Sequence, residues 1–466
     1  MDPAGPPCLG GTAISLPESR LQLPPWGSTL RWLGVRREPG TQTILARGSG
    51  HPLEACNNPH PPHPLARPPR VFPRLNVTPR KTGYYAVEGL NSFATSYFFN
   101  YLLQHLKRDM AMDDLAVLLV CVLHGFIYVP GSYFGGVMGQ RVGYFACLGL
   151  GILGQGVGIA VAWAGPAAWA QVTGMAVWTA SMCLVWPMLE ALVSEREPRE
   201  RLPGKVGLYN VVWASTAAAG FFLGGSIYRW LGPASLYGLP VAIHAAQLVM
   251  LARLKPRHDA WVASLPPTPS RDVPGPCSPH GPRFFMRLAL LGNPFNYMAI
   301  NTVLAIVPAL SLRMGLDIQS VGWLMSAWLV VRALGFVVLW HWEGWHYHFG
   351  WYASAFVLLL AGFVGVVMAP SIAVLLLSQV ALGWASALLY YSSLFYAMDG
   401  TDEHGAHGGI HEAFIGCGIF GGPAVSTAAF WATGDPGSPA WAVGLFLAAG
   451  LVAAWVIRSR ARARAR

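Results

Sequence analysis

From Tyr84 onward the chain alternates long apolar stretches with short polar breaks, each stretch about 20 to 28 residues long. A helix of that length crosses a hydrocarbon core of roughly 30 Å. The pattern predicts about twelve such helices, at 83–106, 114–138, 143–164, 167–194, 206–229, 233–254, 284–313, 317–341, 349–368, 371–397, 409–432 and 438–457. Only helices and closed barrels satisfy the backbone inside lipid. Barrel strands alternate apolar and polar residues over about ten positions, whereas these runs are continuous, so an all-α membrane protein is expected. The weakest cut is Gly165-Pro166, between the third and fourth stretches.

The polar breaks organise the chain. Residues 1–82 form a Pro-, Gly- and Arg-rich extension with no run long enough for a core or a span, and read as disordered. The opening MDPAGPPCLGG has no basic segment followed by an apolar one, so it does not read as a signal peptide. The segment 255–283, KPRHDAWVASLPPTPSRDVPGPCSPHGPR, is a basic, Pro-rich linker with six stretches on either side, which gives two halves at 83–254 and 284–457 and a basic tail at 458–466. Arg67, Arg70, Arg74, Arg80, Lys81, Arg141, Arg196, Arg199, Arg201, Lys205, Lys255, Arg257, Arg271, Arg283 and Arg287 all fall on one side of a twelve-span arrangement. That side is expected to be cytoplasmic, with both termini on it, in the plasma membrane. Lys107 and Arg108 are the exceptions, beside Asp109, Asp113 and Asp114. The sequon Asn76-Val-Thr78 precedes the first stretch on the same cytoplasmic side, where it would not be glycosylated.

The halves resemble each other. Trp178 placed on Trp384 aligns WTASMCLVWPMLEA with WASALLYYSSLFYA, and one helix later Asn210 meets Glu412 and Gly220 meets Gly422. Two successive matches at nearly one offset indicate a duplicated six-helix unit, and parallel repeats of this kind are a transporter architecture.

Composition agrees. The chain is 54% hydrophobic and 11% charged, against about a quarter charged for a soluble protein. The net charge of +10 does not point to nucleic acid, because the basic residues sit in loops and not along one helix face. Seven cysteines, with Cys121, Cys147, Cys183 and Cys417 inside apolar stretches and no C-x-x-C, read as reduced hydrophobes rather than a disulfide frame.

Between the second and third stretches lies Gly136-Val-Met-Gly-Gln140-Arg141-Val-Gly143. This segment resembles the G-x-L-A-D-R-x-G pattern of the major facilitator superfamily, with Gln140 in place of the acid, and the resemblance covers about residues 83–457. A second likeness is to the family's span-five signature, G-x-x-x-G-P-x-x-G-G. Gly220, Gly224 and Gly225 keep part of it, and Gly418, Gly422 and Pro423 keep the complementary part in span eleven. The resemblance implies two pseudo-symmetric six-helix bundles that rock about a midplane site lined by spans 1, 4, 7 and 10, with contributions from 2, 5, 8 and 11. The loop residues Gly136, Gln140, Arg141 and Gly143 would act in gating, the signature glycines and Pro423 in helix packing, with a lean toward export.

Polar groups at mid-depth are functional candidates because they are expensive in lipid. Glu88, Asn91 and Thr95 recur at i, i+3 and i+7 and are expected to share a cavity-lining face, the alternative being a Glu88 that meets water or a loop Arg. Asn296, Tyr297 and Asn301 offer neutral hydrogen bonds for a substrate or between helices. Arg332 lies inside an apolar helix and demands an acceptor, either a protein carboxylate or an anionic substrate. His124 is the candidate for proton coupling, against a reading as a satisfied core imidazole. Glu190 and Glu412 are expected near the cytoplasmic end as gate partners of Arg141 or of the cluster from Arg196 to Arg201, while Gln155 and His244 fall on outer spans. The run 399–412, with His404, His407 and His411, reads as a solvated loop rather than a metal site, and HWEGWHYH at 341–348 as interfacial aromatics with exposed imidazoles.

The expected function is secondary transport of a small organic solute by a monomer in the lipid bilayer, with proton coupling open, no cofactor and no nucleic acid. No G-x-x-x-x-G-K-[ST] occurs to cradle a nucleotide. A membrane-embedded enzyme would cluster its His and carboxylates at one membrane face, which this chain does not, so it is not read as an enzyme. A non-transporting sensor on the same scaffold is the other alternative.

Overall fold

The computed structural model describes residues 81–197, 201–265, 282–399 and 404–465. The N-terminal extension with its sequon, most of the Pro-rich linker and Arg466 lie outside the described residues. The described chain is helical, with α1 Thr82–Arg108, α2 Asp114–Val142, α3 Tyr144–Ala164, α4 Ala168–Ser194, α5 Leu202–Leu231 and α6 Ser235–Ala263 in the first half. The second half carries α7 Pro282–Arg313, α8 Ile318–His341, α9 Phe349–Val367, α10 Ile372–Asp399, α11 His404–Thr433 and α12 Ser438–Ala465. Two of these are interrupted: α4 at Cys183 to Val185, before Pro187, and α8 at Ser326. The cut at Gly165-Pro166 falls between α3 and α4.

Three boundaries differ from expectation. Helix α6 runs to Ala263 and α12 to Ala465, well past the apolar stretch in each case, because a helix continues into polar surroundings once its backbone is already paired. Helix α11 starts at His404, so most of the run expected to be a solvated loop is its first two turns, and His411 and Glu412 are buried in it. No group of three metal-ligating side chains occurs among the described residues.

Eleven of the twelve helices are long and apolar enough to cross a membrane. The exception, α1, is more polar because it turns Glu88, Asn91, Ser92, Ser96 and Gln104 into the protein interior. Large apolar side chains cover the outside instead. Trp163, Trp169, Trp230, Trp431 and Trp441 are half or more exposed near the end of the bundle opposite the one where α1 begins and α12 finishes, while the equally exposed Trp455 lies toward that other end. We call the end with the five Trp end B, and the end bearing Thr82 and Ala465 end A. A ring of exposed Trp at one level suits the headgroup region of a bilayer.

The two halves repeat each other's packing. In the first, α1 packs on α5 and α6, and α3 on α4 and α6; in the second, α7 packs on α11 and α12, and α9 on α10 and α12. Asp113 caps α2 by accepting from the Ala116 N–H, and Asp317 caps α8 from Ser320 N–H in the same way. Across the halves, α2 packs against α11 and α5 against α8. Gly220 and Gly422, aligned from sequence alone, play one role twice. A Cβ on Gly220 would meet the Phe93 carbonyl oxygen of α1 at 2.6 Å, and one on Gly422 would strike the Met298 carbonyl of α7. Gly224 packs on the Tyr101 ring, Gly225 on Ile318 across the halves and Gly418 on Pro294, while Pro423 sits inside α11. Between α2 and α3, Gly143 adopts φ +90°, a conformation open to glycine, so this turn matches the loop pattern read from sequence.

Candidate functional site

A cavity of about 160 Å³ lies at mid-depth between the halves, lined by α1, α2, α4 and α5 on one side and α7, α8, α10 and α11 on the other. Its wall is largely aromatic, with Phe99, Tyr128, Trp178, Trp186, Tyr209, Trp213, Tyr297, Trp328 and Tyr390 among the lining residues. Three charged residues enter it: Glu190 from α4, Arg332 from α8 and Glu412 from α11.

Arg332 is 2% exposed. Its guanidinium donates to the Tyr297 hydroxyl at 3.2 Å and lies over four ring faces, those of Trp213 at 4.6 Å, Tyr390 at 4.9 Å, and Tyr297 and Phe336 at 5.5 Å. It forms no ion pair, and its Nε–H has no partner among the described residues. Ring faces attract a desolvated cation by about 2 kcal/mol or more. They leave its in-plane Nε–H unused, and among the described residues no carboxylate pairs with it.

The carboxylates differ from one another. Glu412 accepts a short bond from the Tyr128 hydroxyl, a contact between α2 and α11 that joins the halves. Glu190 is 6% exposed and its Oε2 has no partner. Glu88 is fully buried behind the wall, accepting from Ser92 Oγ at 2.6 Å and the Tyr209 hydroxyl at 3.1 Å. The position expected for Glu190 and Glu412 is therefore corrected: both face the central cavity, not Arg141, which is exposed along with Gln140.

The other candidates divide. Thr95, His124 and Asn301 line the cavity. His124 bonds Thr179 Oγ1 through Nδ1 at 2.8 Å and stacks on Trp178. Because the Thr179 hydroxyl donates to the Met175 carbonyl, it accepts from His124, which assigns Nδ1–H and leaves Nε2 as an acceptor. Asn301 donates to the Tyr297 carbonyl. Asn91 turns away to Gln155 of α3 at 3.2 Å, and Asn296 is buried outside the cavity with an unpartnered amide. The stripe from Glu88 to Thr95 is thus shared among three neighbours: α5 takes Glu88, α3 takes Asn91 and the cavity takes Thr95. In the 341–348 segment His341 and His348 are exposed, but Trp345 is buried against Tyr391, Phe395 and Tyr396.

End B is closed across the halves. Arg108 donates to Ser311 Oγ at 2.9 Å and to the Leu316 carbonyl at 2.8 Å, and Arg229 reaches Asp317 at 3.1 Å and Gln319 at 2.8 Å. This accounts for basic residues on the side expected to lack them: Lys107 pairs with Asp114 at 2.6 Å, and Arg108 binds the opposite half.

Residues 86–294 match the Major Facilitator Superfamily. The match spans 209 of the 466 residues, just under half of the chain. Two of the solved structures that share its fold are transporters by their descriptions. The human organic anion transporter MFSD10 (TETRAN) aligns with a TM-score of 0.57 and 14% identity, over 81% of this chain and 99% of that one. A mutant of the nucleoside transporter NupG aligns with a TM-score of 0.59 and 12% identity, over 82% of this chain and 99% of that one. Among curated proteins, none matches the chain by sequence. Like those structures the chain is a helical bundle, with eleven described helices long and apolar enough to cross a membrane.

The sequence did not single out Tyr128, Tyr209, Trp213 or Tyr390. Aromatic residues in apolar runs carry no mark that separates a cavity wall from a lipid-facing belt. The one available signal was spacing: Tyr209, Trp213, Ala217 and Phe221 line the cavity at four-residue steps along α5.

Proposed function

We propose that this protein is a secondary active transporter that moves a small organic solute by alternating access, with the central cavity as the binding site and the two halves rocking about it. The observation that carries the reading is the incompletely bonded Arg332 facing a water-sized-to-ring-sized space lined from both halves. A cavity of about 150 Å³ admits one benzene ring, so in this conformation it has room for the ring of an occupant. The cross-half bonds of Arg108 and Arg229 belong to the conformation closed at end B and must part for the solute to exchange on that side. His124, Glu190 and Glu412 are the titratable groups through which a proton gradient would act. With end A cytoplasmic, both termini face the cytoplasm; the partial glycine–proline signature supports export.

Purified protein in liposomes, loaded with candidate solutes and assayed with and without a pH gradient, tests this. Arg332→Ala should abolish flux while the protein still inserts and melts cooperatively. Unchanged flux in that variant removes Arg332 from the site, and no flux of any solute favours a non-transporting sensor.

A further inference from the structure

We infer that the solute is amphoteric, a single-ring-sized zwitterion whose acidic group binds Arg332 and whose protonated amine binds Glu190. The inference rests on the transport reading and concerns the chemistry of the same cavity.

The cavity holds charges of both signs that do not neutralise each other. Arg332 and Glu190 form no ion pair with one another or with any other described residue, although both are more than nine-tenths buried. Each keeps an unused in-plane atom, Nε–H on the guanidinium and Oε2 on the carboxylate. Stripping an ion of water without a partner is expensive by several kcal/mol, and the cost is recovered when a ligand supplies the missing counter-charge. The other carboxylates are already engaged: Glu412 by Tyr128, and Glu88 by Ser92 and Tyr209. That singles out Glu190 as the acceptor.

The donor end is also built. Trp328 stands one turn before Arg332 on α8, lines the cavity, and its indole N–H has no partner. Residues four apart share a helix face, so Trp328 and Arg332 present their unused N–H donors from one face of α8. Between the two poles the wall is aromatic, suited to a flat apolar body. A purely anionic solute would leave Glu190 unpaired and a purely cationic one would leave Arg332 unpaired; a zwitterion satisfies both without adding net charge to a lipid-embedded space. Glu190 belongs to the first half and Arg332 to the second, so the bound solute would tie the halves together.

The test uses the full-length protein in detergent or nanodiscs, with binding read by tryptophan fluorescence and thermal shift. Four single-ring probes of matched length are compared: phenylalanine, phenethylamine, 3-phenylpropionate and 3-phenylpropanol. Phenylalanine is expected to bind roughly 10- to 100-fold more tightly than either singly charged probe, the range of one charge-assisted bond. Arg332→Gln should erase the advantage of phenylalanine over phenethylamine, and Glu190→Gln its advantage over 3-phenylpropionate. Equal binding of the acid and the zwitterion by wild-type protein, equal binding of the amine and the zwitterion, or binding of none of the four, overturns the proposal without requiring any variant to fold. Flux of some other solute in the liposome assay would leave the transport reading standing in each of those cases.

Discussion

Removing Arg108 tests whether the two halves are held shut at end B by a few identifiable bonds. Its guanidinium is half-buried and makes two bonds to the opposite half, to Ser311 Oγ and to the Leu316 carbonyl, while its Nε bonds Gln104 within α1. Hydrogen bonds from a charged donor are worth about 1.5 to 3 kcal/mol net; discounted to about 1 kcal/mol each for partial solvent access, the two cross-half bonds amount to about 2 kcal/mol. On the alternating-access reading these bonds belong to the closed-at-B conformation, so Arg108→Ala should destabilise that state alone and shift the population toward the open one by about 30-fold. Arg229 reaches both Asp317 and Gln319 across the halves, but from a single Nη1 atom on a side chain that is 56% exposed, facing an Asp317 that is 51% exposed. Exposed pairs contribute about 0.2 to 1 kcal/mol, so Arg229→Ala should shift the equilibrium by about 5-fold at most. Spin labels at Trp169 and Leu377, exposed positions on opposite halves, report the end-B separation by pulsed dipolar spectroscopy. A distance distribution unmoved by Arg108→Ala, or an Arg229→Ala change of equal size, refutes the assignment of the latch. Arg108→Lys, which keeps the charge but loses the planar fork, should fall between the two.

Gly220→Ala should lower the melting temperature, because its Cβ would lie 2.6 Å from a backbone oxygen of α1 that cannot yield without moving the helix, an overpacking cost of about 1 to 3 kcal/mol. Gly421→Ala is the control, since its Cβ meets only the flexible end of Met298 at 3.1 Å. Lys81→Met should cost about 3 kcal/mol or more, because the ammonium anchors the start of α1 to the Val193 and Glu195 carbonyls and to Glu197, and its loss strands a buried carboxylate; an unchanged melting curve would count against that anchor. The Asp317 carboxyl is held below the usual aspartate range by hydrogen bonds from Ser320, with Arg229 and Arg108 adding to the effect. Its contribution to stability is therefore present above the ordinary value of about 3.9 and is lost as pH falls through the lower folded value. Melting curves recorded across that window should show an acid-side loss that Asp317→Asn abolishes, and an identical loss in the variant would assign it to other groups.

The sequence by itself determined the solvent, the number of crossings and the twofold plan. Lipid allows a long apolar run almost one structure, so the twelve helices and the break at Gly165-Pro166 were readable from hydropathy alone. The paired glycines Gly220 and Gly422 were readable too, because contact between helix backbones admits only the smallest side chain. Depth was also legible, since Thr95, His124, Asn301 and Arg332 are polar residues far from a helix end and all reach the cavity. What the sequence left undecided is which neighbour each helix face meets. Glu88, Asn91 and Thr95 share one broad face, yet a helix wedged among several others divides that face among its neighbours, and only the packing assigns each side chain its partner. The same holds for Glu190 and Glu412, which approach the same cavity from helices of different halves. Their meeting depends on how the halves are docked, a long-range relation that no local spacing along the chain encodes.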